Sequence, residues 1–283
     1  MARILDGKAA AAGVRSEVAS EAARLKERGI SVRLDVILVG EDPASVTYVA
    51  SKERDSQEVG IESRVHRFPA DVTQEDLAAL VGALNQDEAV SGFFIQLPLP
   101  EGLDAMPLIS YINPSKDVDG LSPESAGRLA IGLPSLLPCT PHGIIQLLKR
   151  NDIDISGRDA VVIGRSNLVG KPLAQLLLRE NATVTVCHSR TRDLPGVARR
   201  ADILVVAAGR REMIGVEHVR DGAIVVDVGI HRKEEGGLLG DVRFDEVEPK
   251  AAWISPVPGG VGPMTRAMLL HNTVTAAQMR SKD

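Results

Sequence analysis

Tyr48 and Lys52 stand four residues apart in Tyr48-Val-Ala-Ser-Lys52, so on a helix they share a face and can address one ligand. A lysine partly removed from water holds its proton less tightly, which lets it serve as a base or proton carrier near neutral pH. The same spacing also fits a surface lysine beside a packed tyrosine. Gln96 ends the apolar run Gly92-Phe-Phe-Ile-Gln96, just before Leu97-Pro98-Leu-Pro100 stops the strand. Strand ends are where α/β proteins place site residues, although a glutamine bonded to nearby backbone is the plainer alternative. Lys116-Asp117-Val-Asp119-Gly120 reads either as a turn closed by side-chain bonds or as a pair of carboxylates. No His, Glu or Cys set stands at ligand spacing, so no metal is expected.

A second constellation begins at residue 160. The apolar run Ala160-Val-Val-Ile leads into Gly164-Arg165-Ser166-Asn-Leu-Val169-Gly170-Lys-Pro172, a strand entering a glycine turn that opens a helix. Helix-start N–H groups and the helix dipole bind pyrophosphate, and glycine lets the backbone approach it. The match to G-x-G-x-x-G is imperfect, because Ser166 takes the second glycine's place and the last is displaced to Gly170. The next strand candidate ends Cys187-His188-Ser189-Arg190, with no acid to accept from a ribose 2′-hydroxyl. Ser189, Arg165 and Arg190 suit a 2′-phosphate instead, which favours NADP over NAD. Pro256-Val-Pro258-Gly259-Gly260-Val261-Gly262-Pro263 is stiff yet closely approachable and precedes a helix start, and a ligand explains it economically.

These residues need a frame to hold them. The chain has 283 residues, 44% hydrophobic and 25% charged, an ordinary globular mix that can bury a substantial core. A net charge of −5 and seven aromatics give little attraction to nucleic acid. No apolar run approaches the ~20 residues that span a bilayer. Residues 1–13 carry Arg3, Asp6 and Lys8 and lack an apolar signal core, so a cytoplasmic protein is expected. Cys139 and Cys187 have no metal-type spacing, and a structural disulfide does not fit that compartment. Strand patterns at 32–39, 63–68, 92–97, 160–163, 183–187, 203–207 and 224–228 alternate with helical patterns near 8–28, 44–59, 73–86, 141–150 and 169–180. That rhythm predicts two α/β units with parallel sheets. The break at 112–122 puts the boundary near 120, and a last helix is expected from Pro263 to about Met279. The patch 232–237 reads as a solvated hairpin or loop.

Tyr-x-x-x-Lys also occurs in short-chain dehydrogenases, but there it follows the nucleotide turn, whereas Lys52 precedes Gly164 by more than a hundred residues. The order of blocks instead resembles the FolD family of methylenetetrahydrofolate dehydrogenase/cyclohydrolases, over nearly the whole chain. The resemblance rests on residues 39–45, Tyr48 to Lys52, Gln96-Leu97-Pro98, Lys116 to Gly120, Cys139-Thr140-Pro141, Gly164-Arg165-Ser166 with Val169-Gly170, Cys187-His188-Ser189, Asp227-Val-Gly-Ile230 and Pro256 to Thr265.

That resemblance implies a folate-binding catalytic α/β domain, residues 1–120 plus 264–283, and a Rossmann-like NADP-binding domain, residues 121–263. A cleft would lie between them, with the C-terminal helix packing back on the first. It implies NADP-dependent oxidation of 5,10-methylenetetrahydrofolate and hydrolysis of the methenyl product to 10-formyltetrahydrofolate. Lys52 would be the central catalytic residue, Gln96 would hold and tune it, Tyr48 would stack on or shape the folate site, and Asp119 would grip the pterin. Leu97, Pro98 and the loop Pro258, Gly259, Gly260, Val261, Gly262 would lie along the substrate. Thr140, Gly164, Arg165, Ser166, Val169, Gly170, His188, Ser189 and Ile230 would contact NADP, and the protein would be a homodimer. A shikimate-type dehydrogenase would share the nucleotide turn but need neither Asp119 nor the glycine loop. A non-catalytic folate or nucleotide binder would not need Tyr48, Lys52, Gln96 and Asp119 together.

Overall fold

The computed structural model describes residues 1–280. The chain divides into two compact units: a first formed by Gly13–Cys139 with residues 266–280, and a second formed by Met1–Ala12 with Thr140–Thr265. Residues 281–283, the end of the segment 264–283 expected in the first domain, lie outside the described residues.

The first unit is built on a three-stranded parallel sheet in the order Glu62–Phe68, Arg33–Val39, Gly92–Ile95. All seven residues of the central strand are buried, as a strand covered on both faces requires. Its two charged members are matched internally: Arg33 Nε and Nη2 donate to the two oxygens of Asp35 at 2.7 and 3.0 Å. The helix Pro43–Glu58 starts cleanly because Asp42 accepts the Ser45 N–H and proline occupies its first turn. The helix Gln74–Gln86 is capped at its start by Thr73. Near its end, the buried Lys116 ammonium donates to the carbonyls of Leu84, Asn85 and Asp87 at 2.7–2.9 Å.

Lys116 therefore has a structural task, and so has Asp117. The Asp117 carboxylate accepts from the N–H groups of Leu121 and Ser122 and from the Ser125 hydroxyl. This launches the short helix Pro123–Ala130. The 112–122 break is thus a folded connection within the first unit, which extends to Cys139. Within the last helix, Val261–Arg280, the residues from Arg266 onward belong to the first unit. Asn272 there donates to the carbonyls of Val118 and Leu137 at 2.8 and 2.7 Å.

The second unit holds a six-stranded parallel sheet in the order Arg3–Ile4, Trp253–Ile254, Ile224–Asp227, Ile203–Val206, Asp159–Ile163, Thr183–Cys187. Ile203–Val206 and Ile224–Asp227 are buried throughout, and Leu204, Val206, Val225 and Ile254 share one core with Val161 and Ile163. Helices Cys139–Lys149 and Gly170–Arg179 follow the expected pattern. The two-residue strands carry no readable periodicity, yet Arg3–Ile4 pairs with Trp253–Ile254 and so draws residues 1–12 into this unit. The patch at 232–237 forms the tip of a hairpin between His231–Arg232 and Leu238–Leu239.

Candidate active site and nucleotide site

In the first unit, one turn of the helix Pro43–Glu58 brings Tyr48 and Lys52 to the end of the strand Gly92–Ile95. Lys52 Nζ donates to Gln96 Oε1 at 3.2 Å, and the Gln96 amide is oriented by donating from Nε2 to the Leu97 carbonyl at 2.6 Å. The ammonium lies 4.6 Å from the Tyr48 ring centre and 3.9 Å from that of Phe94. Burial pushes the Lys52 pKa down to about 8, against opposing pulls from Asp119 and Cys139, while Arg266 adds to the fall. Roughly a tenth of such a lysine is neutral at pH 7, against well under ~0.1% for an ordinary one.

Asp119 reaches this cluster because 116–118 run beside the strand Gly92–Ile95, with Phe93 N–H donating to the Lys116 carbonyl at 3.0 Å. A side chain on Gly92 would collide with Val118, so glycine permits the close approach. Burial raises the Asp119 pKa, partly offset by Lys52. Burial likewise lifts the Tyr48 phenol and, strongly, the Cys139 thiol, so both stay protonated at neutral pH. The site is a buried amine held by the Gln96 side chain beside two aromatic rings.

The first unit holds Tyr48, Lys52 and Gln96, with Asp119 acting on the Lys52 amine, the four residues that the resemblance groups into one site. Sequence reasoning missed Phe94, which a period-two reading back from Gln96 would have found on the same strand face. It also missed Cys139, whose thiol donates to the Val118 carbonyl at 3.3 Å, and the Asp55–Arg266 ion pair at 2.7 Å, one helical turn beyond Lys52. Asp55 and Arg266 lie 211 residues apart, beyond any local pattern.

The second unit carries the nucleotide features at the carboxyl ends of its strands. Gly164 follows Asp159–Ile163 with φ +128°, and a Cβ there would strike the Ala207 carbonyl. A Cβ on Gly170 would strike the Gly164 carbonyl. The helix Gly170–Arg179 has no side-chain cap at its start, leaving its positive end available to an anion. Beyond the strand Thr183–Cys187, Thr191 Oγ1 accepts the His188 N–H at 2.9 Å and His188 Nδ1 accepts the Arg190 N–H at 3.1 Å. This turn leaves Ser189 and Arg190 exposed, as are Arg165 and Ser166. The next acid along the chain is Asp193. The glycine cradle and the exposed cations fit a dinucleotide carrying a 2′-phosphate. Thr140 bonds Thr265 at 3.0 Å between hydroxyls, and Ile230 is exposed. In the loop 258–262, Gly259 has φ +109° and Gly260 N–H donates to Pro256 O at 2.9 Å, while a Cβ on Gly7 would collide with Gly260.

A parallel α/β unit with a glycine cradle and an acid-free strand end, alongside a second α/β unit holding a low-pKa lysine, defines an NADP-type α/β dehydrogenase with an added proton-transfer centre. The comparisons narrow that class. The profile of the tetrahydrofolate dehydrogenase/cyclohydrolase catalytic domain matches residues 5–119, and that of the corresponding NAD(P)-binding domain matches residues 138–281. Bifunctional protein FolD 1 of Rubrobacter xylanophilus is 72% identical over 100% of this chain and 99% of its own. The bifunctional FolD methylenetetrahydrofolate dehydrogenase/cyclohydrolase of Campylobacter jejuni superposes with a TM-score of 0.97 at 49% identity, covering 99% and 100% of the two chains. A Trypanosoma brucei FolD solved with NADP cofactor and inhibitor gives 0.94 at 39% identity, covering 100% and 99%. This chain belongs to the tetrahydrofolate dehydrogenase/cyclohydrolase (FolD) family.

Proposed function

We propose that the chain carries out both reactions of its family: oxidation of 5,10-methylenetetrahydrofolate with NADP, and hydrolysis of the resulting methenyl cation to 10-formyltetrahydrofolate. The observation that carries this is Lys52, held by Gln96 at 3.2 Å with a pKa near 8. NADP, when bound, supplies the hydride acceptor for the first step. The protein's task there is orientation. Ser189, Arg165 and Arg190 would anchor the 2′-phosphate, the turn Gly164–Ser166 with Val169 and Gly170 would take the pyrophosphate, and Thr140, His188 and Ile230 would complete the contacts.

In the second step water adds to the methenyl carbon and loses one proton to leave a hydroxyl adduct; that hydroxyl loses its own proton as the bond from the carbon to N5 breaks and N5 takes up a proton, leaving a formyl group on N10. One proton is released overall. Neutral Lys52 can accept the water's proton and, once charged, deliver one to N5. Tyr48, with its phenol protonated, would shape the folate site, Asp119 would hold the pterin, and Leu97, Pro98 and the loop 258–262 would line the substrate. Methenyltetrahydrofolate absorbance tests the reading: it should decay without NADP and accumulate transiently from the methylene substrate only with NADP⁺. A protein inert in both assays would sink it.

A homodimer is also proposed. Among the described residues the strand Glu62–Phe68 bonds in its sheet only to Arg33–Val39, which leaves its other edge open to a second copy. Sedimentation should give twice the 30.2 kDa chain mass, and a monomer at working concentration would refute it. The proposed compartment is the cytoplasm, which cell fractionation checks; among the described residues no helix is long and apolar enough to cross a membrane.

A further inference from the structure

Three neighbouring strands of the second unit, Thr183–Cys187, Asp159–Ile163 and Ile203–Val206, are followed in sheet order by Ile224–Asp227. With a 2′-phosphate at Ser189 and pyrophosphate over Gly164, a dinucleotide laid across these strand ends must place its nicotinamide half over the loops after the last two, residues 207–209 and 228–231. Neither loop carries a charged group that fixes it from the solvent side, yet both are tied to one buried residue. Asp241, fully buried, accepts from the N–H groups of Ala208 and Gly209 at 2.7 and 2.8 Å through Oδ2, and meets His231 Nε2 at 2.7 Å through Oδ1.

A second carboxylate locks the first. Asp227 accepts the N–H groups of Gly229 and Asp241 through Oδ1 at 2.9 and 3.0 Å, and of Val242 through Oδ2 at 2.9 Å. Glycine is required where these groups meet: a Cβ on Gly229 would collide with Asp241, and one on Gly240 with Asp227. A buried carboxylate that collects several N–H donors holds the backbone in one arrangement, because releasing any of them leaves a buried polar group unpaired.

We infer that Asp241 is a positioning residue for the nicotinamide end of the cofactor, setting the two loops 207–209 and 228–231 in register. The inference rests on the NADP reading above. Its test is Asp241→Asn, which preserves shape but removes the anionic acceptor. NADPH binding followed by nicotinamide fluorescence should weaken roughly ten- to a hundredfold, the scale of leaving a buried N–H donor poorly paired in the bound arrangement. The KM for NADP⁺ should rise in parallel, while cyclohydrolase turnover without NADP falls far less. An unchanged Kd, or equal loss of both functions, overturns the inference. Should Asp241→Asn not fold, as circular dichroism would report, His231→Ala takes its place: it frees only the half-exposed partner, weaker NADPH binding is again expected, and unchanged binding overturns the inference. Failure of the family activity itself is seen separately, as an unaltered protein that neither binds NADPH nor hydrolyses methenyltetrahydrofolate.

Discussion

Lys52 illustrates how a reactive side chain is made at a cost in stability. Its folded pKa near 8 lies below the ordinary 10.5 because of burial, so between those values the unfolded chain binds more protons than the folded one. Folding stability attributable to this residue therefore rises with pH across about 8 to 10.5, and below 8 the buried ammonium carries its full penalty. Lys52→Met should leave the melting temperature at pH 7 unchanged or higher, measured calorimetrically; a large fall would mean that Lys52 is chiefly structural. Arg266 acts on the same amine from the last helix, held by Asp55 at 2.7 Å. Replacing it with Gln removes a neighbouring positive charge, so the acidic limb of the cyclohydrolase pH profile should move to higher pH. A limb that stays in place would dissociate Arg266 from Lys52. Tyr48, Lys52, Gln96 and Asp119 were legible in sequence as residue types, but Phe94, Cys139 and Arg266 were not, since they join the cluster only through strand pairing and the return of a distant helix.

At the scale of elements, the long strands were legible because their apolar runs are buried on both faces, as in Arg33–Val39 and Ile203–Val206. Short elements were not: Arg3–Ile4 and Trp253–Ile254 are two residues each and have no period to detect. The Lys-Asp-Val-Asp-Gly block shows why a motif can be recognised without its roles being read. Only Asp119 acts on the amine, through its charge, while Lys116 closes the end of the helix Gln74–Gln86 and Asp117 starts the helix Pro123–Ala130. Lys116→Met should strand three carbonyls and cost about 1–3 kcal/mol in urea unfolding. The family activity should survive in the fraction that remains folded, and an unaltered unfolding midpoint would contradict the capping role.

For the whole molecule, the two units divide the labour suggested by their residues: cofactor cradle in one, low-pKa lysine in the other. Binding to the native state alone stabilises it by mass action, about 2.7 kcal/mol at a hundred times Kd. NADP⁺ should therefore raise the unfolding temperature of the second unit, and NAD⁺ at equal concentration should raise it less; the reverse order would overturn the roles of Ser189, Arg165 and Arg190. The buried Asp227, its pKa raised to about 6 by burial, adds a pH signature. The folded unit binds its proton more tightly than the unfolded chain does, so this group's contribution is most favourable below about pH 4 and declines as pH rises toward 6. Asp117 and Ser122 fold the break near residue 120 into a helix start, which no composition shift reveals.

The proposed hydrolysis depends on Lys52 moving its protons. The most direct measurement is single-turnover hydrolysis of methenyltetrahydrofolate without NADP, by the unaltered protein and by folded Lys52→Met, from about pH 6 to about pH 10. The unaltered protein should gain rate through an apparent pKa near 8. The variant should be flat across the range and slower by roughly 10²–10⁴-fold, the usual worth of a positioned acid–base group. A folded Lys52→Met that hydrolyses at the unaltered rate, with the same pH dependence, would contradict the account.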